Sequence, residues 1–447
     1  MRSITDVIKH FKQNWTGELS TTAIAEACRD TGMTWHNSIL NPITTIQIFF
    51  VQVLHGNTAI EHLSHLTGMS FTAAAYCQAR MRLSLHALHL LLERCVEQLQ
   101  QETFDSARWL GHRVFHVDGS SFSMPDTPQL QAHFGQPGGQ RPGCGFPTAH
   151  WLVLLHAGTG MITKMLAAPL RTHEMSKMVD LHPELHQDDL LIADRGFCSY
   201  AHLALLLQRG VHGLLRIHQR TIVDFTPGRP HVTPGRGKAD HQRGKPRSRW
   251  IRQLGPTDQI VQWLRPTEKP SWMSAQQFAA VPSSIMVREL RYTIHEKGFR
   301  PKQITLVTTL LDADRYSLPR LADLFLQRWE IETNFGHLKT TMKMDVLKCK
   351  TVDGVLRELQ VFALIYNMVR QVMQEAARRQ RVDVRRISFI DALRWLQTAK
   401  PGDELPQLVV NPYRPNRIEP RVRKRRPKQY PLMKKPRRQL KKELESK

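Results

Sequence analysis

Leu190-Leu-Ile-Ala-Asp194-Arg195-Gly196-Phe197 is an apolar run that stops on a carboxylate, turns at a glycine and leads into a helical stretch, Tyr200 to Gln208. An earlier segment, Arg113-Val-Phe-His-Val-Asp118, has the same form and is followed by Gly119. Between the two, Trp151 to His156 and Met161 to Leu170 read as a hairpin around Gly158-Thr159-Gly160. Glu174 to Leu185 reads as a helix limited by Pro183, and Gly213 to Ile217 and Gln303 to Leu311 as further strands. Strands followed by helices, after an initial hairpin, predict an α/β fold with a mixed sheet.

Downstream, Leu318 to Met342 predicts one long helix with Leu321, Leu324, Phe325, Trp329, Ile331, Phe335 and Leu338 on its apolar side. Val352 to Arg379 predicts another, whose apolar positions most simply pack onto the sheet. Upstream, residues 20 to 100 read as all helical. There, Thr58 to Leu66, the turn Thr67-Gly68-Met69-Ser70 and Phe71 to Leu83 form a helix, a glycine turn and a second helix capped by Ser70. As a helix-turn-helix this pair makes Ser70, Thr72, Gln78, Arg80 and Arg82 candidate DNA contacts. Such pairs occur in any helical domain, so the basic charge of the chain carries that reading.

The 447 residues hold 63 Lys+Arg against 39 Asp+Glu, a net charge of +24 that calls for a polyanionic partner. Hydrophobic residues make up 41%, enough for a buried core and too many for a disordered basic protein. With no run of eighteen or more uncharged apolar residues, and no apolar secretory core in Met1 to Trp15, neither a membrane span nor export is expected. The six cysteines, at 28, 77, 95, 144, 198 and 349, lack metal-site spacing and read as reduced thiols of a cytoplasmic protein. Half the charge surplus, +12, lies between Arg414 and Lys447, a proline-interrupted stretch expected to be a flexible phosphate-attracting arm. A second basic stretch, Arg216 to Arg252, is broken by prolines and followed by Trp263 and Trp272. Together with Trp250, these aromatics either stack on exposed bases or form the core of a small β-rich unit.

Three acids stand out by position. Asp118 and Asp194 each end an apolar strand before a polar turn, where a carboxylate is held rigidly yet exposed. Glu332 lies inside a helix between Ile331 and Phe335, where an acid requires a cation or a hydrogen-bonded partner. As oxygen ligands the three suit two Mg²⁺ ions and phosphodiester displacement. Any single strand-end Asp is more simply a turn residue. Arg328, Glu332 and Lys339 are spaced by four and seven, on one helical face, as either an ion-pair ladder or a metal site with phosphate clamps beside it.

The string Phe325-Leu-Gln-Arg328-Trp329-Glu-Ile-Glu332-Thr-Asn-Phe335-Gly-His-Leu-Lys339 resembles the Y-x2-R-x3-E-x6-K motif of bacterial DDE-type insertion-sequence transposases of the IS-four group. His116-Val-Asp118-Gly-Ser120 and Ile192-Ala-Asp194-Arg195-Gly-Phe197 resemble the same family's two aspartate segments, and the resemblance spans roughly residues 40 to 375. It implies an RNase H-like core with Asp118, Asp194 and Glu332 as the metal-binding triad for two Mg²⁺, with Mn²⁺ able to substitute. Arg195, Arg328 and Lys339 are then expected on DNA phosphate. The implied division is a helical DNA-binding domain (1–105), a core in two parts (106–217 and 303–400), a basic β-rich insertion (218–302) and a basic tail (401–447).

The implied function is cut-and-paste DNA transposition through a hairpin intermediate, by a homodimer acting on double-stranded DNA at terminal inverted repeats and at the target. The implied location is the bacterial cytoplasm, on the nucleoid. A metal-dependent nuclease that cuts without joining and a DNA-binding protein that has lost catalysis are the alternatives. Phe325 stands where the family motif has Tyr, which removes a hydroxyl that could bond a phosphate.

Overall fold

The structure is a computed structural model that describes residues 20–99, 107–170, 172, 174–219, 221–230, 245–294, 302–399, 403–412 and 433–446. Its centre is a nine-stranded sheet. β1 (Val114–Ser123), β2 (Thr148–His156) and β3 (Ile162–Pro169) form an antiparallel meander. β4 (Leu190–Ala193) and β5 (His212–Arg216) add on the other side of β1, parallel to it. The order β3-β2-β1-β4-β5 is that of an RNase H-like core. A parallel pair needs a crossover connection, and helix Tyr200–Gln208, capped by Ser199, supplies it between β4 and β5.

The sheet does not end at β5. β9 (Lys302–Thr308) pairs antiparallel with it, and β8 (Ser284–Ile294), β7 (Asp258–Leu264) and β6 (Arg247–Gly255) continue outward as an antiparallel ribbon. The last part of the basic stretch, from Arg247, therefore extends the same sheet. Its Trp263 is buried and donates its indole N–H to Glu289, which favours the core role over base stacking for that residue. Trp272 lies flat on the His202 ring. Arg220, Arg236, Lys238, Asp240 and Arg243 lie outside the described residues.

Side chains alternate across the strands with period two and so meet two different covers. Phe115, Val117, Leu191, Ala193 and Leu215 face the helix Tyr200–Gln208. Val114, Leu190, Ile192 and Leu214 face Leu321, Leu324 and Phe325 of helix Leu318–Leu326. Further along the same sheet, Trp151, Val153 and Leu155 pack with the amino-terminal helices and with helix Val352–Gln380. That last helix is buried on nearly all sides, against β3, helix Leu85–Leu99, helix Pro42–Leu54 and helix Phe389–Thr398, rather than lying simply on the sheet. Its apolar residues are too evenly spread around the axis to select a single partner.

Several expectations are corrected. Helix Ala73–Arg82 is capped by Thr72, whose Oγ1 accepts from the Ala75 N–H, and not by Ser70. Leu318 to Thr341 is helical throughout, as expected, but not uniformly α: it runs as helix Leu318–Leu326, a 3₁₀ turn Gln327–Trp329, helix Glu330–Gly336 and a π-turn His337–Thr341. Asp118 does not end its strand, because β1 continues to Ser123 along β2 while β4 pairs only as far as Val117. In the tail, residues 413–432 lie outside the described residues. Beyond them Arg437–Glu445 is a helix with no buried residue, tied to the core at its first residue. Arg437 lies 3.1 Å from Asp126 and over the Phe146 ring, an ion pair and cation–π contact that a basic composition alone does not announce.

Candidate active site

Asp118 shares its side of β1 with Val114 and His116, and Asp194 shares its side of the sheet with Leu190 and Ile192. Because Val117 pairs with Ala193, the two aspartates are successive residues on adjacent parallel strands, at the same level and on the same side. Helix Leu318–Leu326 covers that side through Leu321, Leu324 and Phe325, so the 3₁₀ turn and the helix Glu330–Gly336 that follow carry Arg328 and Glu332 toward Asp118. Arg328 is buried. Its Nη1 lies 3.3 Å from Asp118 Oδ2 and its Nη2 4.0 Å from Glu332 Oε1, one guanidinium between two acids. Such a cation in a low-dielectric site is retained only by its paired charges.

Lys339 approaches from the π-turn. Its ammonium donates to Ser120 Oγ at 3.1 Å and to the Ser121 carbonyl at 2.8 Å, on β1 just past Asp118. The extra residue of a π-turn re-aims the side chains beyond it, a frequent device at functional sites. Arg195 is half-exposed and donates to Gln219 Oε1 at 2.7 Å. Burial and the Arg328 guanidinium push His116 down to about 3, so this ring adds no charge at neutral pH.

Two residues close to this site are not legible in the sequence. Arg216, at the end of β5, places Nη1 3.7 Å from Asp194 Oδ1, an oxygen that is buried and accepts no hydrogen bond among the described residues. The pairing of Ala193 with Leu215 sets Arg216 beside Asp194, a register visible only once β4 and β5 are known to be adjacent. Tyr292 of β8 packs against the cluster that contains Phe325, its hydroxyl buried and its ionisation pushed up to about 12 by that burial. Among the described residues, no group of three or more His, Cys, Asp or Glu side chains is gathered so that it could hold a metal ion as it stands. The space between Asp118 and Glu332 is taken by Arg328.

The helix pair of the amino-terminal domain lies apart from these carboxylates. Ser70, Thr72, Gln78 and Arg82 are exposed on it. Arg80 is turned inward: Nη1 donates to Gln52 Oε1 at 3.1 Å, and the guanidinium lies 4.8 Å from the Phe49 ring centre.

Residues 109–368 match the transposase DDE domain family. The chain belongs to that family. It is a DDE-type DNA transposase. Among its relatives is transposase InsG for insertion sequence element IS4 of Escherichia coli (strain K12), 26% identical over 377 residues that cover 80% of this chain and 78% of InsG. Among solved structures, the piggyBac transposase synaptic complex with hairpin DNA aligns with 88% of this transposase and 78% of that chain, at 10% identity and a TM-score of 0.38. None of this transposase's described helices is long and apolar enough to cross a membrane.

Proposed function

We propose that Asp118, Asp194 and Glu332 are the carboxylates at which this transposase cuts and joins DNA at the ends of an insertion sequence. The observation that carries the reading is the placement of Asp118 and Asp194 side by side on parallel strands, with Glu332 linked to Asp118 through one buried arginine. The donor set is all oxygen, its three side chains are partly exposed, and Asp194 offers a buried Oδ1 without a hydrogen bond, which fits Mg²⁺. That ion takes a few carboxylates with waters and phosphate oxygens rather than a closed protein cage. Two such ions, or Mn²⁺ in their place, would activate the attacking oxygen and neutralise the leaving one when bound.

The chain's own side chains do the positioning. Lys339 and Arg195 offer charge to the phosphates on either side of the scissile bond, and Arg328 holds Asp118 and Glu332 in register until substrate arrives. Ser70, Thr72, Gln78 and Arg82 offer donors for base and backbone contacts at terminal inverted repeats, with Arg80 supporting their helix from beneath. The reaction proposed is hydrolysis of one strand, attack of the freed 3′-hydroxyl on the other strand to give a hairpin, and later attack on target DNA. It is carried out by a homodimer on paired ends in the bacterial cytoplasm. The helical domain, the two-part core, the β-rich insertion and the basic tail divide this work.

The test is a joining assay with Mg²⁺ and duplexes cut from the DNA flanking the coding sequence. Hairpin and strand-transfer products are expected. Nicks that never become joined products would leave a nuclease in place of a transposase.

A further inference from the structure

Arg328 occupies a position that its bonding does not fully reward. Its side chain is 7% exposed and lies between two acids, with Nη1 3.3 Å from Asp118 Oδ2 and Nη2 4.0 Å from Glu332 Oε1. The Phe325 and Trp329 rings flank it, their centres 5.7 and 6.0 Å from the guanidinium carbon. Its Nε is buried and has no hydrogen-bond acceptor among the described residues. Neither contact to the acids is short, and a buried donor without an acceptor is costly. The guanidinium is therefore held by charge more than by a fitted set of bonds.

That position is also one a divalent ion needs. Asp118 Oδ1 accepts from the Gly119 N–H at 2.8 Å, and Oδ2 faces the guanidinium. Mg²⁺ takes carboxylate oxygens at about 2.1 Å. An ion that close to Oδ2 on the side of Glu332 would meet a like charge across a gap too small for solvent to screen. Guanidinium and ion exclude each other there.

A second seat for the guanidinium lies on the same side of the sheet. Ala193 pairs with Leu215, so Arg216 stands level with Asp194; Arg216 pairs in turn with Leu306, and Leu306 with Leu290. Two antiparallel steps make β8 run with β5, so Tyr292, two residues beyond Leu290, stands on the side of Leu290 and just past the level of the acids. It packs against the cluster that contains Phe325. Its hydroxyl is buried without a partner among the described residues, and Arg216 and Arg328 both lie within its electrostatic reach. The Tyr292 oxygen is an unused acceptor and Arg328 Nε an unused donor.

We infer that Arg328 is the resident cation of the carboxylate site and that Tyr292 is the positioning residue that receives it. The guanidinium rests between Asp118 and Glu332 until divalent ions enter, and then turns to the Tyr292 hydroxyl. The inference rests on the proposed assignment of the three carboxylates and adds what must leave them.

The test follows Mn²⁺ binding to the full chain, without DNA, by the electron paramagnetic resonance signal of the free ion. Arg328→Gln is expected to tighten binding by about tenfold or more, since the ion no longer competes with a guanidinium. Lys339→Gln removes an equal charge that rests on Ser120 and Ser121 rather than between the acids, and is expected to tighten binding far less. Equal gains would mean that net charge and not occupancy sets the affinity, and would overturn the inference. Tyr292→Phe is expected to weaken binding about tenfold, the order of one hydrogen bond, with a thermal midpoint no lower than that of the wild type. A lower midpoint would show that the hydroxyl already has a partner at rest. Added to Arg328→Gln, Tyr292→Phe is expected to change nothing further. The same weakening in that background, or none in the wild type, would show that Tyr292 does not receive Arg328, and the inference fails while the carboxylate assignment stands. Asp118→Asn added to Arg328→Gln is expected to erase the gain. If the gain persists, Mn²⁺ sits elsewhere and the carboxylate assignment falls with the inference.

Discussion

Arg328 is the residue on which the geometry of the acids turns. Its guanidinium reaches Asp118 and Glu332 at once, a two-ended contact that an ammonium cannot reproduce. Arg328→Lys is expected to fold, judged by far-UV circular dichroism, while cleavage slows by about tenfold to a hundredfold, the loss of roughly 1.5–3 kcal/mol from a charged hydrogen bond. Unchanged cleavage would show that the bridge has no part in arranging the acids. At this scale the sequence is informative because the motif around Glu332 fixes which acid and which cations belong together. It does not show Arg216 beside Asp194, since that proximity comes from strand order, nor that Arg80 turns inward, since helical spacing does not say which neighbour waits beneath.

At the scale of elements, the strands and the helix Tyr200–Gln208 are legible because apolar runs punctuated by glycine and carboxylate leave few alternatives. The helix that bears Glu332 is legible only in extent. No local periodicity records its 3₁₀ turn or its π-turn, from which Lys339 reaches β1. The joint at Glu358 is likewise a tertiary feature: this buried carboxylate accepts from Asn57 Nδ2 and from the Lys348 and Cys349 N–H groups, and Glu358→Ala leaves all three without their acceptor. A loss of about 3 kcal/mol or more in urea unfolding is expected, and a loss near zero would mean that the joint carries no load. The carboxyl-terminal helix makes a gentler case. Arg437→Ala removes its contacts to Asp126 and Phe146, so trypsin is expected to clip residues 433–446 severalfold faster with the core intact, and an unchanged rate would contradict the docking.

For the whole molecule, half of the charge surplus that suggested DNA, +12 of +24, lies between Arg414 and Lys447, and the other half belongs to the rest of the chain. The same burial that shapes the core sets its response to acid. His116, His156 and His182 are each pushed down to about 3, chiefly by burial, so between that value and the ordinary histidine range near 6.5 the unfolded chain binds more protons than the folded one. Their contribution is fully present above pH 6.5 and is lost as pH falls toward 3. The thermal midpoint is expected to drop between pH 7 and pH 5, and equal midpoints would contradict the assigned burial.

The central proposal is that Asp118, Asp194 and Glu332 carry the chemistry. The most direct measurement compares cleavage and DNA affinity of the wild type with Asp118→Asn, Asp194→Asn and Glu332→Gln, using Mg²⁺ and duplexes from the flanking DNA. Each variant is predicted to lose cleavage by about a thousandfold or more, roughly 4 kcal/mol of barrier, while binding DNA at least as tightly as the wild type. Cleavage at the wild-type rate by any one of the three would contradict the assigned triad.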